Sequence, residues 1–216
     1  MFADTLKSLV GSQEDAPVTI ARDELVRDPD WQDATFSELE VSAVDLGGKS
    51  FQRCVFRKVR LAEANLRRCT FEECEFDGCD LTMAVIEGAA FREVAFLRSK
   101  LMGLDWTRVR GVAFVVSFTE CNLSHCTFAD RNMRETVFRE CRAHDAVFAG
   151  VDLTRAVFTG TDLRGARFMD TILVEADLSE AVNYEISPQQ NRLRKTKFSQ
   201  EAALALVADL GVVVPH

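Results

Sequence analysis

Three groups of residues in this 216-residue chain have the types that chemistry uses. The run Ala43-x4-Gly48-Lys49-Ser50 approximates a phosphate-binding loop, where backbone N–H groups cradle a phosphate and a lysine reaches its oxygens. That chemistry needs glycine first and a helix afterwards. Here Ala43 leads, and Phe51 to Leu61 keep an extended pattern that cannot be the helix. Gly47 and Gly48 read more simply as a tight corner. Cys121, His125, Cys141 and His144 are zinc-ligand types. Four such ligands must converge within about 2.0–2.3 Å of one ion. The periodicity of the chain puts both cysteines inside and both histidines outside, so no metal is expected. The third group is carboxylates. Glu120, Glu140 and Glu180 share one outward column interrupted by Gly160; Asp130 and Asp170 share a second, interrupted by Gly150; Glu135 and Glu175 share a third, with Arg155 between them. Carboxylates stacked about 5 Å apart repel unless neutralised, which suits them to a partner's basic channel; ordinary solubilising charge is the alternative. No nucleophile–base–acid set stands out, so no catalytic residue and no cofactor is expected and the chain reads as non-enzymatic.

The element that must position these residues is set by one periodicity. From Phe36 every fifth residue is apolar: Phe36, Val41, Leu46, Phe51, Phe56 and onward to Trp106, then after a shift from Phe118 to Leu178. Five steps on an α-helix land roughly 140° off the starting face, and an odd step along a strand flips the side chain to the other surface. All these residues stay inside only if the chain turns a corner once per unit. Residues twenty apart also match, as in Phe36, Phe56, Phe76 and Phe96, so four units make one coil. The 28 units predict seven stacked coils, each touching only its neighbours. At about 4.8 Å per coil the rod is roughly 34 Å long. The residue two before each centre is small, as in Cys54, Val59, Ala64, Cys69, Ala146 and Thr161, and a two-residue step in extended chain returns it to the inside. All seven cysteines occupy this position, which reads as packing by a small hydrophobe and argues against a disulfide framework.

Composition bounds the rest. Net charge is −8, from 34 acidic and 26 basic residues, which disfavours direct nucleic-acid binding. Arg57, Lys58, Arg60, Arg67 and Arg68 make the first half mixed in sign. There is no apolar run of about 18 residues, and Met1 to Val10 is too short for a signal peptide, so no membrane is expected and the expected location is cytoplasmic. The expected organisation is an N-terminal arm and cap over 1–30, a coil over 31–183 with an irregular stretch or kink near 107–117, and a C-terminal cap and dimerisation helix over 184–216. In that last part Ser199 is the expected N-cap, Ala203, Leu206, Val207 and Leu210 form an apolar face at helical spacing, and Gly211 is the stop.

The small-x-Leu/Phe-x-x unit over residues 34–180 resembles the pentapeptide-repeat family. The resemblance implies an all-β solenoid, a right-handed quadrilateral β-helix with a C-terminal capping α-helix. Leu101-Met102-Gly103-Leu104-Asp105-Trp106-Thr107, Ala181-Val182-Asn183-Tyr184 and Lys197-Phe198-Ser199-x-Glu201-Ala202 are similar to the topoisomerase-protecting branch, the Qnr-type quinolone-resistance and albicidin-immunity proteins. What this implies is a homodimer through the C-terminal helix, forming a DNA-like rod that binds DNA gyrase and possibly topoisomerase IV. Such a protein either inhibits the enzyme or relieves it of a poison. The alternative is a general protein–protein interaction scaffold with no topoisomerase role.

Overall fold

The structure, a computed structural model, describes residues 20–111 and 114–209. Within them the chain winds into a parallel, four-sided β-solenoid of about eight turns. Its short strands are β1 (Asp30–Gln32), β2 (Thr35–Ser37), β3 (Ser50–Gln52), β4 (Val55–Arg57), β5 (Thr70–Glu72), β6 (Glu75–Asp77), β7 (Ala90–Arg92), β8 (Val94–Leu97), β9 (Val116–Thr119), β10 (Thr127–Ala129), β11 (Phe138–Arg139), β12 (Val147–Ala149), β13 (Arg167–Met169), β14 (Asp177–Leu178) and β15 (Lys197–Phe198). One side of the rod carries the ladder β1-β3-β5-β7, the next carries β2-β4-β6-β8-β9-β11, and β10-β12-β13 form a third. Single parallel bridges such as Glu40↔Arg60↔Asp80↔Lys100 hold the stretches that are too short to count as strands.

Inside, like residues stack on like. Phe56 and Phe76 lie 4.5 Å apart, Phe138 and Phe158 4.6 Å, both pairs nearly parallel. Rings on adjacent sides meet edge to face, as Phe138 and Phe148 do at 5.9 Å. The inward small residues do more than fill space. Cys69 Sγ donates to the Leu46 carbonyl at 3.1 Å, Cys79 to Phe56 at 3.2 Å and Cys126 to Leu101 at 3.0 Å. The hydroxyls of Thr161 and Thr171 do the same to Phe138 and Phe148, at 2.9 and 3.0 Å. Each donor thus reaches the carbonyl of an apolar centre one coil below, at a point where the chain is turning. Reading the cysteines as plain hydrophobes is therefore corrected: they are buried, but their thiols are hydrogen-bond donors. Burial pushes the Cys69 thiol up to about 11 and those of Cys79 and Cys126 up to about 12, so all three keep their protons.

The corners share one device. The residue two after a centre bends left-handed, Arg108 and Glu180 excepted, and 22 non-glycine residues with positive φ occur among the described residues. Such residues are ordinarily a few per cent of a chain, so the corner geometry imposes the conformation. The bend aims the corner N–H along the rod: Glu38 donates to Arg57 O at 2.9 Å and Lys58 to Asp77 O at 2.8 Å. A left-handed non-glycine residue costs about 1–2 kcal/mol, against roughly 0.5–1 kcal/mol of extra chain entropy for glycine. Glu140→Gly (φ 52 at that corner) is therefore expected to raise stability by about 0.5–1 kcal/mol, and β-branched Glu140→Val to lower it. Thermal unfolding followed by circular dichroism checks the order Gly, Glu, Val.

The far end of the coil departs from expectation. Stacking continues past residue 183, through Ile172↔Arg192 and the β14–β15 pair, so the coil runs to Phe198. At the start it already includes Trp31, paired with Phe51. These additions turn the expected seven coils into about eight. Helix α1 (Arg22–Arg27) covers the first coil with the fully buried Leu25. Lys49 lies inside here, its Nζ donating to Val26 O at 2.9 Å and Asp28 O at 2.7 Å. At the irregular stretch near 107–117, β8 pairs directly with β9, Phe96 on Phe118, so the stacking continues along that side. Phe114 refills the interrupted core, 6% exposed and 5.7 Å from the Trp106 ring. Helix α2 (Gln200–Asp209) closes the far end, with Ser199 Oγ accepting from Ala202 N at 3.2 Å as its cap.

Candidate partner-binding faces

With the bore filled, only the outer skin is left to act, and its corners carry the sequence-predicted carboxylates. Glu120, Glu140, Asp130, Asp170, Glu135 and Glu175 all occupy left-handed corner positions, which turns each side chain outward. Glu180 follows in the first column without the left-handed bend, and all but Glu175, which is half-buried, are exposed. The three columns differ in what they meet. Glu120, Glu140 and Glu180 have no ion pair, nor do Asp130 and Asp170, among the described residues. Gly160 and Gly150 space them, and Asp130 and Glu140 each lean over the glycine of the next coil, where a Cβ would crowd them. The third column is different. Arg155 pairs with Glu135 at 2.5 Å and Lys195 with Glu175 at 3.5 Å, so its charge is neutralised rather than displayed. Lys195 reaches Glu175 only because the coil extends beyond residue 183.

In the first half of the rod opposite charges sit one coil apart. Arg53–Asp33, Lys58–Glu38, Arg60–Glu40, Arg67–Glu87, Arg92–Glu72 and Lys100–Asp80 pair across neighbouring turns. The basic stretch Arg57 to Arg68 is thus mostly absorbed into ladders of alternating sign. Exposed pairs of this kind contribute roughly 0–1 kcal/mol each, so they fix register and surface charge more than stability.

The two motifs with a chemical look do not assemble. Cys121 and Cys141 are 2% and 3% exposed and their thiols bond to carbonyls of Thr119 and Arg139, at 3.3 Å each. His125 faces outward 3.9 Å from Asp145, and His144 Nε2 lies 2.7 Å from Asp162. After Lys49 the chain enters β3, and the lysine's ammonium is held by the carbonyls of Val26 in α1 and of Asp28 just beyond it. Among the described residues no three His, Cys, Asp or Glu side chains gather where one metal could sit.

Asp162 is the most perturbed surface carboxylate. Burial pushes its carboxyl up, but hydrogen bonds from Asn183 at 2.9 Å, from His144 and from the Arg164 N–H overcome this and hold it at about 2. A depressed folded-state pKa adds stability that is complete above the ordinary value of 3.8 and is lost as pH falls towards 2. Asp162→Asn is expected to cost about 1 kcal/mol at neutral pH, allowing for solvent screening, and nothing below about pH 2. Urea midpoints across the acid range test this.

For the expected dimerisation face, Ala203 is exposed and Leu206 and Val207 are half-buried, while Leu210 and the expected stop Gly211 lie outside the described residues. Leu204, outside the sequence-predicted stripe, is 49% exposed. No helix among the described residues is long and apolar enough to cross a membrane.

Comparison with known proteins follows the periodicity. A family model described as a pentapeptide repeat region matches residues 44–114 and 112–178. No curated protein sequence matches. Among solved structures, a trypsin-treated variant of QnrB1, a plasmid-mediated fluoroquinolone resistance protein, is 21% identical over 91% of this chain and 95% of that one, with a TM-score of 0.45. HetL, a pentapeptide repeat protein involved in heterocyst differentiation regulation in the cyanobacterium Nostoc, is 16% identical over 91% and 92%, with a TM-score of 0.46.

Proposed function

The chain belongs to the pentapeptide-repeat family, and from that premise we propose that it acts without catalysis, by binding another protein along the faces of its rod. The observation that carries this reading is a set of outward carboxylates left without a cation. Glu120, Glu140, Glu180, Asp130 and Asp170 stand unpaired on the outer corners of the second half among the described residues, whereas Glu135 and Glu175 are matched by Arg155 and Lys195. Unpaired, exposed charges steer and select a partner more than they hold the fold.

The partner proposed is a type II topoisomerase, DNA gyrase first and topoisomerase IV second, protected from or inhibited in place of a poison such as a quinolone or peptide antibiotic. The similarity of the segments Leu101–Thr107, Ala181–Tyr184 and Lys197–Ala202 to the topoisomerase-protecting branch supports this choice. On the same reading two copies join through α2, with Ala203, Leu206, Val207 and Leu210 at the contact, and the protein works in the cytoplasm. Charge magnitude limits the DNA likeness. Duplex DNA carries one charge per about 1.7 Å, so a rod of about 38 Å matching it would hold roughly 22 negative charges. The whole chain has a net charge of −8. Recognition therefore rests on shape and on the local carboxylate columns, not on a duplex-like field.

Purified protein in a gyrase supercoiling assay, with and without a quinolone or an albicidin-like poison, tests the proposal. Wild type is expected to restore supercoiling in the presence of poison or to inhibit it in its absence, and Glu120→Lys with Glu140→Lys to weaken that effect at least tenfold. No change in either condition removes the topoisomerase and leaves the general interaction scaffold, which predicts co-purification with other proteins.

A further inference from the structure

We propose that the seam around Met83 is a docking surface for a segment of a partner protein that carries an apolar side chain flanked by lysine or arginine; this rests on the reading that the rod works by binding proteins. Met83 is 58% exposed, the most exposed large hydrophobic residue among those described. It sits at a left-handed corner (φ 56), so the backbone turns its side chain out of the rod. Its Sδ lies across Gly103, where any Cβ would collide with it.

Beside it runs a line of small or apolar residues. Met83 N–H donates to Met102 O at 2.9 Å, Glu63 N–H to Thr82 O at 2.9 Å and Ala43 N–H to Ala62 O at 2.8 Å, which stacks Ala62, Thr82 and Met102 beside the corner column. On the other flank Val85 pairs with Asn65. A patch of two methionines, alanine, valine and threonine is conspicuous on a rod whose other corners carry mostly charge or glycine. Thioether side chains adapt to whatever is set against them and recur at binding surfaces.

The rim selects the partner. Glu63, Asp45 and Asp105 border the patch and none forms an ion pair among the described residues; Asp45 and Asp105 accept only from Asn65 and from the Gly47 and Thr107 N–H groups. The neighbouring cations are matched, Arg60 with Glu40, Lys100 with Asp80, and Arg67 and Arg108 with Glu87. An apolar centre inside an uncompensated negative rim favours a cationic, partly apolar segment. It disfavours a second copy of the same patch, which would set carboxylate against carboxylate.

The full chain has five methionines, so labelling their methyl carbons gives a compact NMR readout. Met133 is 1% exposed and serves as the buried reference, and Met169, 38% exposed, as a control remote in sequence. The probe is a synthetic amphipathic leucine–lysine peptide, with its leucine–glutamate counterpart. The methyls of Met83 and Met102 are expected to shift with the lysine peptide and at least tenfold more weakly with the glutamate peptide, and the Met102 methyl to respond at least tenfold more weakly in Met83→Glu. Absence of shifts, an equal response at Met169, or an equal response to the acidic peptide overturns the proposal. A shift that grows with protein concentration alone assigns the patch to a second copy and overturns it too. The Met83→Glu protein in the gyrase assay separates the two readings: if wild type leaves gyrase unaffected while the peptide shifts remain, the topoisomerase assignment fails and this surface stands.

Discussion

Phe138→Ala is expected to cost about 3–5 kcal/mol, measured as a shift in the urea midpoint. Phe138 is fully buried, stacked 5.3 Å from Phe118 and 4.6 Å from Phe158, with edge contacts to Phe128 at 6.3 Å and Phe148 at 5.9 Å. Truncation removes contacts in two directions along the bore and two across it. The cavity has little means of closing, because the backbone around it is pinned from both sides: Phe138 N–H donates to Val157 O at 2.7 Å and its carbonyl accepts from Thr161 at 2.9 Å. A helix bundle can slide into such a void; a coil tied above and below cannot. Domains as a rule have only about 5–15 kcal/mol of net stability, so the loss is a large share. Neighbour-only coupling adds a second signature, since a weakened coil lets the two halves unfold separately. A broadened or two-step transition is expected. Phe138→Leu should recover most of the loss, because leucine fills the same slot at Leu66, Leu123 and Leu153. A loss below about 1 kcal/mol for the alanine variant would show that the stack can relax after all.

What could be read from the sequence divides along the same physical line. Positions that repeat are legible because every coil imposes the same demand. A buried centre at every fifth residue and a small residue two before it follow from the corner alone, and the outward direction of Glu120, Glu140, Asp130 and Asp170 follows with them. The left-handed corner was not legible, since Asp, Glu, Arg, Lys, Met and Gly all occupy it and no residue type signals the bend. Nor was the hydrogen-bonding duty of the cysteines, because Ala occupies the same position elsewhere and hides the role of the donors. Reading the chain past Leu178 failed for a further reason. The next centres, Leu193 and Phe198, are only half-buried, and Tyr184 and Ile186 interrupt the count before them. Without that last turn Lys195 had no address, and the column of Glu135 and Glu175 looked more acidic than it is. The partner face stays the least legible part, because exposed residues answer to another molecule's surface and not to the coil.

Arg131 and Lys49 break the small-residue rule, and both mark where the stack loses its regular hydrogen bonds. Arg131 stands two before Met133, in the slot held elsewhere by Ala, Cys or Thr. Its guanidinium donates to Trp106 O at 3.2 Å, to Thr107 O at 2.9 Å and to Val109 O, and lies 5.9 Å over the Phe114 ring. Burial lowers its pKa, yet arginine keeps its charge at any physiological pH. One side chain thus bonds the Trp106 carbonyl, as the cysteines and threonines do at other centres, and with the rest of its planar fork gathers the Thr107 and Val109 carbonyls beside the break. Arg131→Ala is expected to cost about 2–4 kcal/mol, for two to three charge-assisted bonds and a cation–π contact. Arg131→Lys should regain less than half, since a point charge with a longer reach but no fork meets one carbonyl well. Amide exchange locates the effect: the Arg110 N–H, held by Ala89 O at 2.7 Å, is expected to exchange faster in both variants, while Phe56 and Phe158 in distant coils keep their protection. If exchange rises evenly along the whole rod instead, the break is not a separate unit and the two halves unfold as one.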